Sequence, residues 1–332
     1  MTTGSSAPGG RGRVFRIVSI TAAIALAAVL LFYSLRGIEW RRVGELIVHA
    51  RAGWMTLALL LTTTTLFLRA CRWRVLLSAE ANVTVLDVFW ATSAGYFGNN
   101  FLPARAGELV RTYMISASYQ VDLPFVLATA ACERVADAIT LVVIAAVVLL
   151  ELPEQSGAFA KAIPFFATLA FVGAAAIVVL PLVGPSVTRT IGRLPVPHGV
   201  RDRLVNICEQ GLRGLRAFHD VGRLSAFCGF STAIWILDAA ATMITAKALA
   251  LYIPLSVAFL LLAALGLGSA LPSTPGYVGI YQFVAVTVLT PFGLSRTDAI
   301  AYILVAQALS YVVIGVWGAI GIARYRRARR SV

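Results

Sequence analysis

Between Gly95 and Arg111 the chain sets Asn99, Asn100, Pro103, Arg105, Gly107, Glu108 and Arg111 among apolar residues. Two amides, two guanidinium groups and a carboxylate at that spacing could hold an anion or move a proton. Glu108 lies three residues from both Arg105 and Arg111, so in a helix all three share a face. A second set, Glu133, Arg134 and Asp137, occupies the first half of a long apolar run, with the two acids one helical turn apart. A third stretch holds Pro272, Pro275, Gly276, Gly279 and Gln282. In hydrocarbon each charge costs roughly 2.5–3.5 kcal/mol on insertion scales, so such groups form either a loop in water or a buried polar site. Two readings of the acids stay open: an ion-pair network that ties elements together, or a role in headgroup binding or proton coupling.

The elements that must position these groups read as membrane. Of 332 residues, 59% are hydrophobic and 13% charged, against about 25% charged in soluble domains. The expected class is an all-α polytopic membrane protein with one membrane domain and no soluble domain. A small polar tail, residues 1–13, precedes a domain over 14–325, and a basic tail closes it at 326–332. Full spans are expected at Ile17–Leu35, Gly53–Leu68, 125–150, 162–183, 225–250 and 298–322. Segment 37–51 suits an interfacial helix. So does 196–220, where Leu204, Ile207, Cys208, Leu212, Leu215 and Phe218 share one face and Arg201, Arg203, Arg213 and Arg216 the other. Arg69, Arg72, Trp73 and Arg74 are expected to close the second span.

The net charge of +13 would suggest nucleic acid in a soluble protein. Here the bases collect at segment ends and no basic patch alternates with aromatics, so nucleic acid is excluded. With both termini inside, 18 basic residues lie on the inner side, 7 on the outer and 3 within the membrane region. That bias puts both termini on the cytoplasmic side and requires an even number of crossings, and the expected location is a bacterial plasma membrane. The four cysteines show neither CxxC nor His pairing, and the three histidines neighbour no ligand cluster. Neither a metal nor a cofactor is expected.

The pieces 85–98/104–118 and 255–271/277–291 are short. Arms of 14 to 17 residues span about 21–26 Å as helix, against a hydrocarbon core of about 30 Å. Each pair is either two short spans or a re-entrant hairpin (hairpin one, 84–118; hairpin two, 255–291). Broken backbone at Pro103, or at Pro272 and Pro275, is tolerated at depth only beside a protein-lined cavity. The two triads of span, hairpin and span run oppositely, which is the pattern of an inverted repeat with eight or more membrane helices. Second arms starting after Pro103 and after Gly276 would aim two helix N-termini at one site, and that suits an anion.

Asn100-x-x-Pro103-x-Arg105-x-Gly107-Glu108-x-x-Arg111, Glu133-Arg134-x-x-Asp137 and Pro272-x-x-Pro275-Gly276-x-x-Gly279 resemble the flippase-like membrane domains related to the N-terminal half of lysylphosphatidylglycerol synthases. The resemblance covers about residues 14–325. Many members carry Glu where this chain has Gln282. The resemblance implies movement of lipids or lipid-linked headgroups between leaflets: phospholipids, aminoacyl-phospholipids or polyprenyl-phosphate sugars. The chain ends at Val332 without an aminoacyl-transferase domain, so it is expected to be a transporter and not to make lysyl-lipid.

The expected function is a lipid flippase or lipid-handling transporter with membrane lipids, chiefly anionic headgroups, as partners. Its site would join Asn99, Asn100, Arg105, Glu108, Arg111, Glu133, Arg134 and Asp137 to the Pro272–Gln282 hairpin. The alternatives are an intramembrane lipid-modifying enzyme, for which no HExxH or Cys/His cluster is present, a non-transporting partner of a lipid or glycan synthase, and a small-solute transporter.

Overall fold

Long apolar runs give helices, and helices alone make up the regular structure among the described residues. The computed structural model describes residues 21, 25–101, 106–151, 157–193, 197–269 and 274–330. The first helix, α1 (Ala25–Leu35), is followed by α2 (Trp40–Val48), α3 (Ala52–Leu77), α4 (Val85–Phe101), α5 (Gly107–Tyr119) and α6 (Leu123–Glu151). Then come α7 (Gly157–Ile191), α8 (His198–Arg216), α9 (Val221–Ala248), α10 (Leu255–Gly268), α11 (Ile280–Leu289) and α12 (Arg296–Arg330). Among the described residues, α3, α9 and α12 are long and apolar enough to cross a membrane by length and composition. Residues Val312, Val316 and Ile320 form an exposed apolar stripe down α12, spaced at four, as lipid contact requires.

Two corrections concern boundaries. The second span does not close at Leu68: α3 runs on to Leu77 and carries Arg69 and Arg72 inside the bundle. Removing those two from the inner basic residues leaves the charge bias standing. The second arm of hairpin two does not begin at 277. The chain takes positive φ at Gly276 (72°), Tyr277 (60°) and Gly279 (91°), and α11 starts only at Ile280. The basic segment 326–330 continues α12 as helix. Pro103, Arg105, Pro272 and the tail 1–13 lie outside the described residues.

Packing pairs map onto one another when α3–α6 is exchanged for α9–α12. Helix α3 packs on α9, α4 on α12 as α10 packs on α6, and α4 on α5 as α10 on α11. The pairs α5–α6 and α11–α12, and α3–α6 and α9–α12, correspond likewise, whereas the packing of α3 on α12 has no comparable counterpart between α9 and α6. Without a hydrophobic drive between helices in lipid, close approach depends on small residues. Ala58 of α3 and Ala239 and Ala246 of α9 are fully buried in one cluster. Gly318 of α12 lies against Phe97 and the Ser93 carbonyl of α4, and Gly321 against the Trp90 carbonyl.

The α4–α5 hairpin is held at both ends. At its base, Thr84 caps α4 by accepting from the Asp87 backbone N–H (3.2 Å), and the Tyr119 hydroxyl donates to Asp87 Oδ2 (2.5 Å). At its tip, the helices cross at Gly95 and Gly107, where a Cβ on Gly107 would run into the Gly95 carbonyl and the Asn99 backbone nitrogen. Helix α8 packs on α6 and α7 through its C-terminal half. Gly214 meets Ala128 there, and Leu212 meets Gly184. Leu204 and Ile207 remain exposed.

Candidate functional site: a charged lattice beside a central cavity

Helix α6 presents Glu133 and Asp137 on one face, and α3 presents Arg72 to both. Arg72 Nη2 donates to Glu133 Oε1 (2.9 Å) and Arg72 Nη1 to Asp137 Oδ1 (2.6 Å) and Ser231 Oγ (3.2 Å). From α5, Arg111 pairs with Glu108 Oε2 (2.7 Å) and with Glu133 Oε2 (2.9 Å). Arg134 reaches Glu108 Oε1 (3.1 Å) and Asp137 Oδ2 (3.7 Å). Asn99 Nδ2 donates to Glu108 Oε1 (3.4 Å). Arg72, Arg111 and Glu133 are 1–2% exposed, so each charge is stabilised by its partners and not by solvent. Aromatic faces complete the enclosure: Arg111 lies 4.4 Å from the Trp73 ring and Arg72 5.1 Å from the Phe227 ring.

The lattice is neutral. Arg72, Arg111 and Arg134 balance Glu108, Glu133 and Asp137. A separate pair, Arg69 Nη2 of α3 and Asp238 Oδ2 of α9, stands 2.6 Å apart across the junction of the two halves.

Beside the lattice is a cavity of about 500 Å³, within the roughly 300–1,000 Å³ of ordinary ligand sites. It lies where the two hairpin tips meet, since α4 touches the turn Pro275–Tyr277. One wall carries Arg69, Asp238, Arg134, Asp137 and Trp235; Asn99 and Asn100 come from one tip, Gly276 and Tyr277 from the other. The tip of hairpin two is fixed by a chain of neutral hydrogen bonds. The Gly276 carbonyl accepts from the Tyr311 hydroxyl (2.6 Å) and Gln307 Nε2 (3.1 Å). Gln307 Oε1 accepts from Gln282 Nε2 (2.6 Å), and Gln282 Oε1 caps α11 by accepting from the Gly279 N–H (2.7 Å).

The expected set therefore divides. Glu108, Arg111, Glu133, Arg134 and Asp137 form one lattice with Asn99, as their helical spacing allows. Asn100 and Gly276 border the cavity, and Pro275 opens the turn at its edge. Gly107 is where α4 and α5 touch. Gln282 and Gly279 do not border the cavity; they hold the turn that does. Sequence reasoning missed Arg69, Arg72, Asp238, Trp235, Gln307 and Tyr311. Asp238 carried a usable signal, being a lone acid within an apolar run.

Comparison with known proteins adds two findings. The model of the lysylphosphatidylglycerol synthase TM region matches residues 20–318. The glycosyltransferase AglD of Haloferax volcanii is 28% identical over 327 residues, which cover 88% of this chain and 46% of that protein. The chain thus spans less than half the length of this curated relative.

Proposed function

Because the chain belongs to the lysylphosphatidylglycerol synthase TM-region family, we propose that it carries the headgroup of a membrane lipid between leaflets through the cavity where its hairpins meet. The observation that carries this reading is the cavity itself, which sets one charged wall in a largely apolar lining. It is bounded by both broken hairpins and backed by buried charge, an arrangement tolerated in a bilayer only beside a wet, protein-lined space. The arms support re-entry. Helix α5 has 13 residues and α11 has 10, about 20 and 15 Å at 1.5 Å per residue, short of a 30 Å core. The exchange of packing pairs supports an inverted repeat, with hairpin one entering from inside and hairpin two from outside. In this reading the protein resides in a plasma membrane with both termini cytoplasmic and acts without chemistry of its own.

Two roles divide the site. The Arg72–Glu133–Asp137 and Arg111–Glu108–Arg134 contacts hold α3, α5 and α6 in register. Arg69, Asp238, Asn99, Asn100 and Trp235 meet the passing headgroup, while Gly276 and Tyr277 form the opposite gate. A lipid or glycan synthase that supplies or takes the lipid is the partner this role calls for. The test is reconstitution: vesicles holding the purified chain should speed translocation of fluorescent lipids over empty vesicles. Equal rates across a panel of headgroups would overturn the proposal.

A further inference from the structure

The charges facing the cavity cancel, and this bears on which headgroup fits. Arg69 is committed to Asp238 at 2.6 Å, and Arg134 to Glu108 at 3.1 Å and Asp137 at 3.7 Å. A net anion entering there would have to displace a carboxylate or sit beside one, and like charges in low dielectric repel. Arg134 Nε makes its 3.1 Å contact with Glu108 as an ion pair without an aligned hydrogen bond, and the other unpartnered polar atoms on cavity-lining side chains are neutral. Trp235 is 8% exposed, lines the cavity, and its indole N–H donates to nothing among the described residues. Asn100 Nδ2 and Asn99 Oδ1 are likewise buried atoms without a partner there. Two N–H donors and one carbonyl acceptor, all uncharged, match hydroxyl groups, which both accept and donate. The Tyr277 and Tyr281 rings, stacked 5.0 Å apart, also line the cavity, and aromatic faces accept the C–H face of a sugar ring.

We propose that the cavity binds an uncharged glycosyl headgroup, with Trp235 Nε1 and Asn100 Nδ2 donating to its hydroxyl oxygens and Asn99 Oδ1 accepting a hydroxyl proton. This rests on the lipid-transport reading and names its substrate class. A zwitterionic headgroup is a poorer match, since its ammonium and phosphate would each need a free countercharge.

The test compares three fluorescent lipids in phosphatidylcholine vesicles holding the full chain: a monoglucosyl diacylglycerol, a phosphatidylglycerol and a phosphatidylcholine. Initial rates of translocation are read by chemical quenching of the outer leaflet. The glucosyl lipid should move fastest. Trp235→Phe keeps the ring and loses only the N–H, so it should slow the glucosyl lipid about three- to tenfold, one hydrogen bond's worth. Because that N–H has no protein partner, the unfolding midpoint should not fall. Faster movement of phosphatidylglycerol or phosphatidylcholine overturns the glycosyl assignment and leaves lipid transport standing. Movement of no lipid overturns both. Uptake of free glucose without movement of the glucosyl lipid overturns a lipid-borne sugar. An unchanged rate in Trp235→Phe removes Trp235 from the subsite.

Discussion

Replacing Arg72 by Met should be among the most damaging single changes in the chain, and its damage should be reversible by a second change. Arg72 is 1% exposed and its guanidinium makes hydrogen bonds to Glu133, Asp137 and Ser231. Met fills a similar volume, so the loss is electrostatic. Glu133 keeps Arg111 at 2.9 Å, but Asp137 keeps only Arg134 at 3.7 Å. The lattice then holds three carboxylates against two guanidinium groups. Breaking a buried pair from one side costs about 3–5 kcal/mol, which for 332 residues at about 2.1 cal/mol/K each is roughly 4–7 °C in the unfolding midpoint. Adding Asp137→Asn restores neutrality and should recover more than half of the loss. The assay is thermal unfolding of the detergent-purified single and double variants. A midpoint within about 1 °C of wild type for Arg72→Met would refute the enclosure of the charge, since that corresponds to no more than about 1 kcal/mol. A double variant that falls further than the single one would refute the charge balance.

Three other changes probe the hairpins. Gly107→Ala puts a methyl group into the Gly95 carbonyl and should cost at least about 1–3 kcal/mol as overpacking, read as loss of folded yield; a normal yield would place the α4–α5 crossing elsewhere. Tyr311→Phe removes one of two donors to the Gly276 carbonyl and should cost only about 0.5–1.5 kcal/mol. Gln307→Leu also strips Gln282 of its partner and should cost about 1–3 kcal/mol, so their order in a melting series tests the amide chain.

The helices and the lattice were largely legible in the sequence, because charge is scarce in apolar runs and helical spacing decides which groups share a face. Glu133 and Asp137, one turn apart, had to meet a common partner. Which arginine met them was harder. Arg69 and Arg72 lie about 60° apart around a helix, whereas Arg74 is turned by about 200° from Arg72. Accordingly Arg72 enters the lattice, and Arg74 Nε donates outward to the Val83 carbonyl at 2.7 Å. Three basic residues at the end of an apolar run look like an interfacial anchor until the neighbouring acids are known to be within reach. The delayed start of α11 was not legible: Tyr277 holds a φ of 60° that no residue preference signals, and it persists because Gly276 is clamped by Gln307 and Tyr311. Trp235 was hidden by its type, since an indole in a span reads as packing.

If a lipid headgroup passes through the cavity between the hairpin tips, a bulky side chain placed in that cavity should stop it. Ala306 lines that cavity on α12, and Val316 on the same helix is 51% exposed on the lipid-facing side. In vesicles, Ala306→Trp should reduce translocation of the best-moved fluorescent lipid to the rate of protein-free vesicles, while Val316→Trp moves it at the wild-type rate. Full translocation through the Ala306→Trp protein, with its folding intact, would contradict the account.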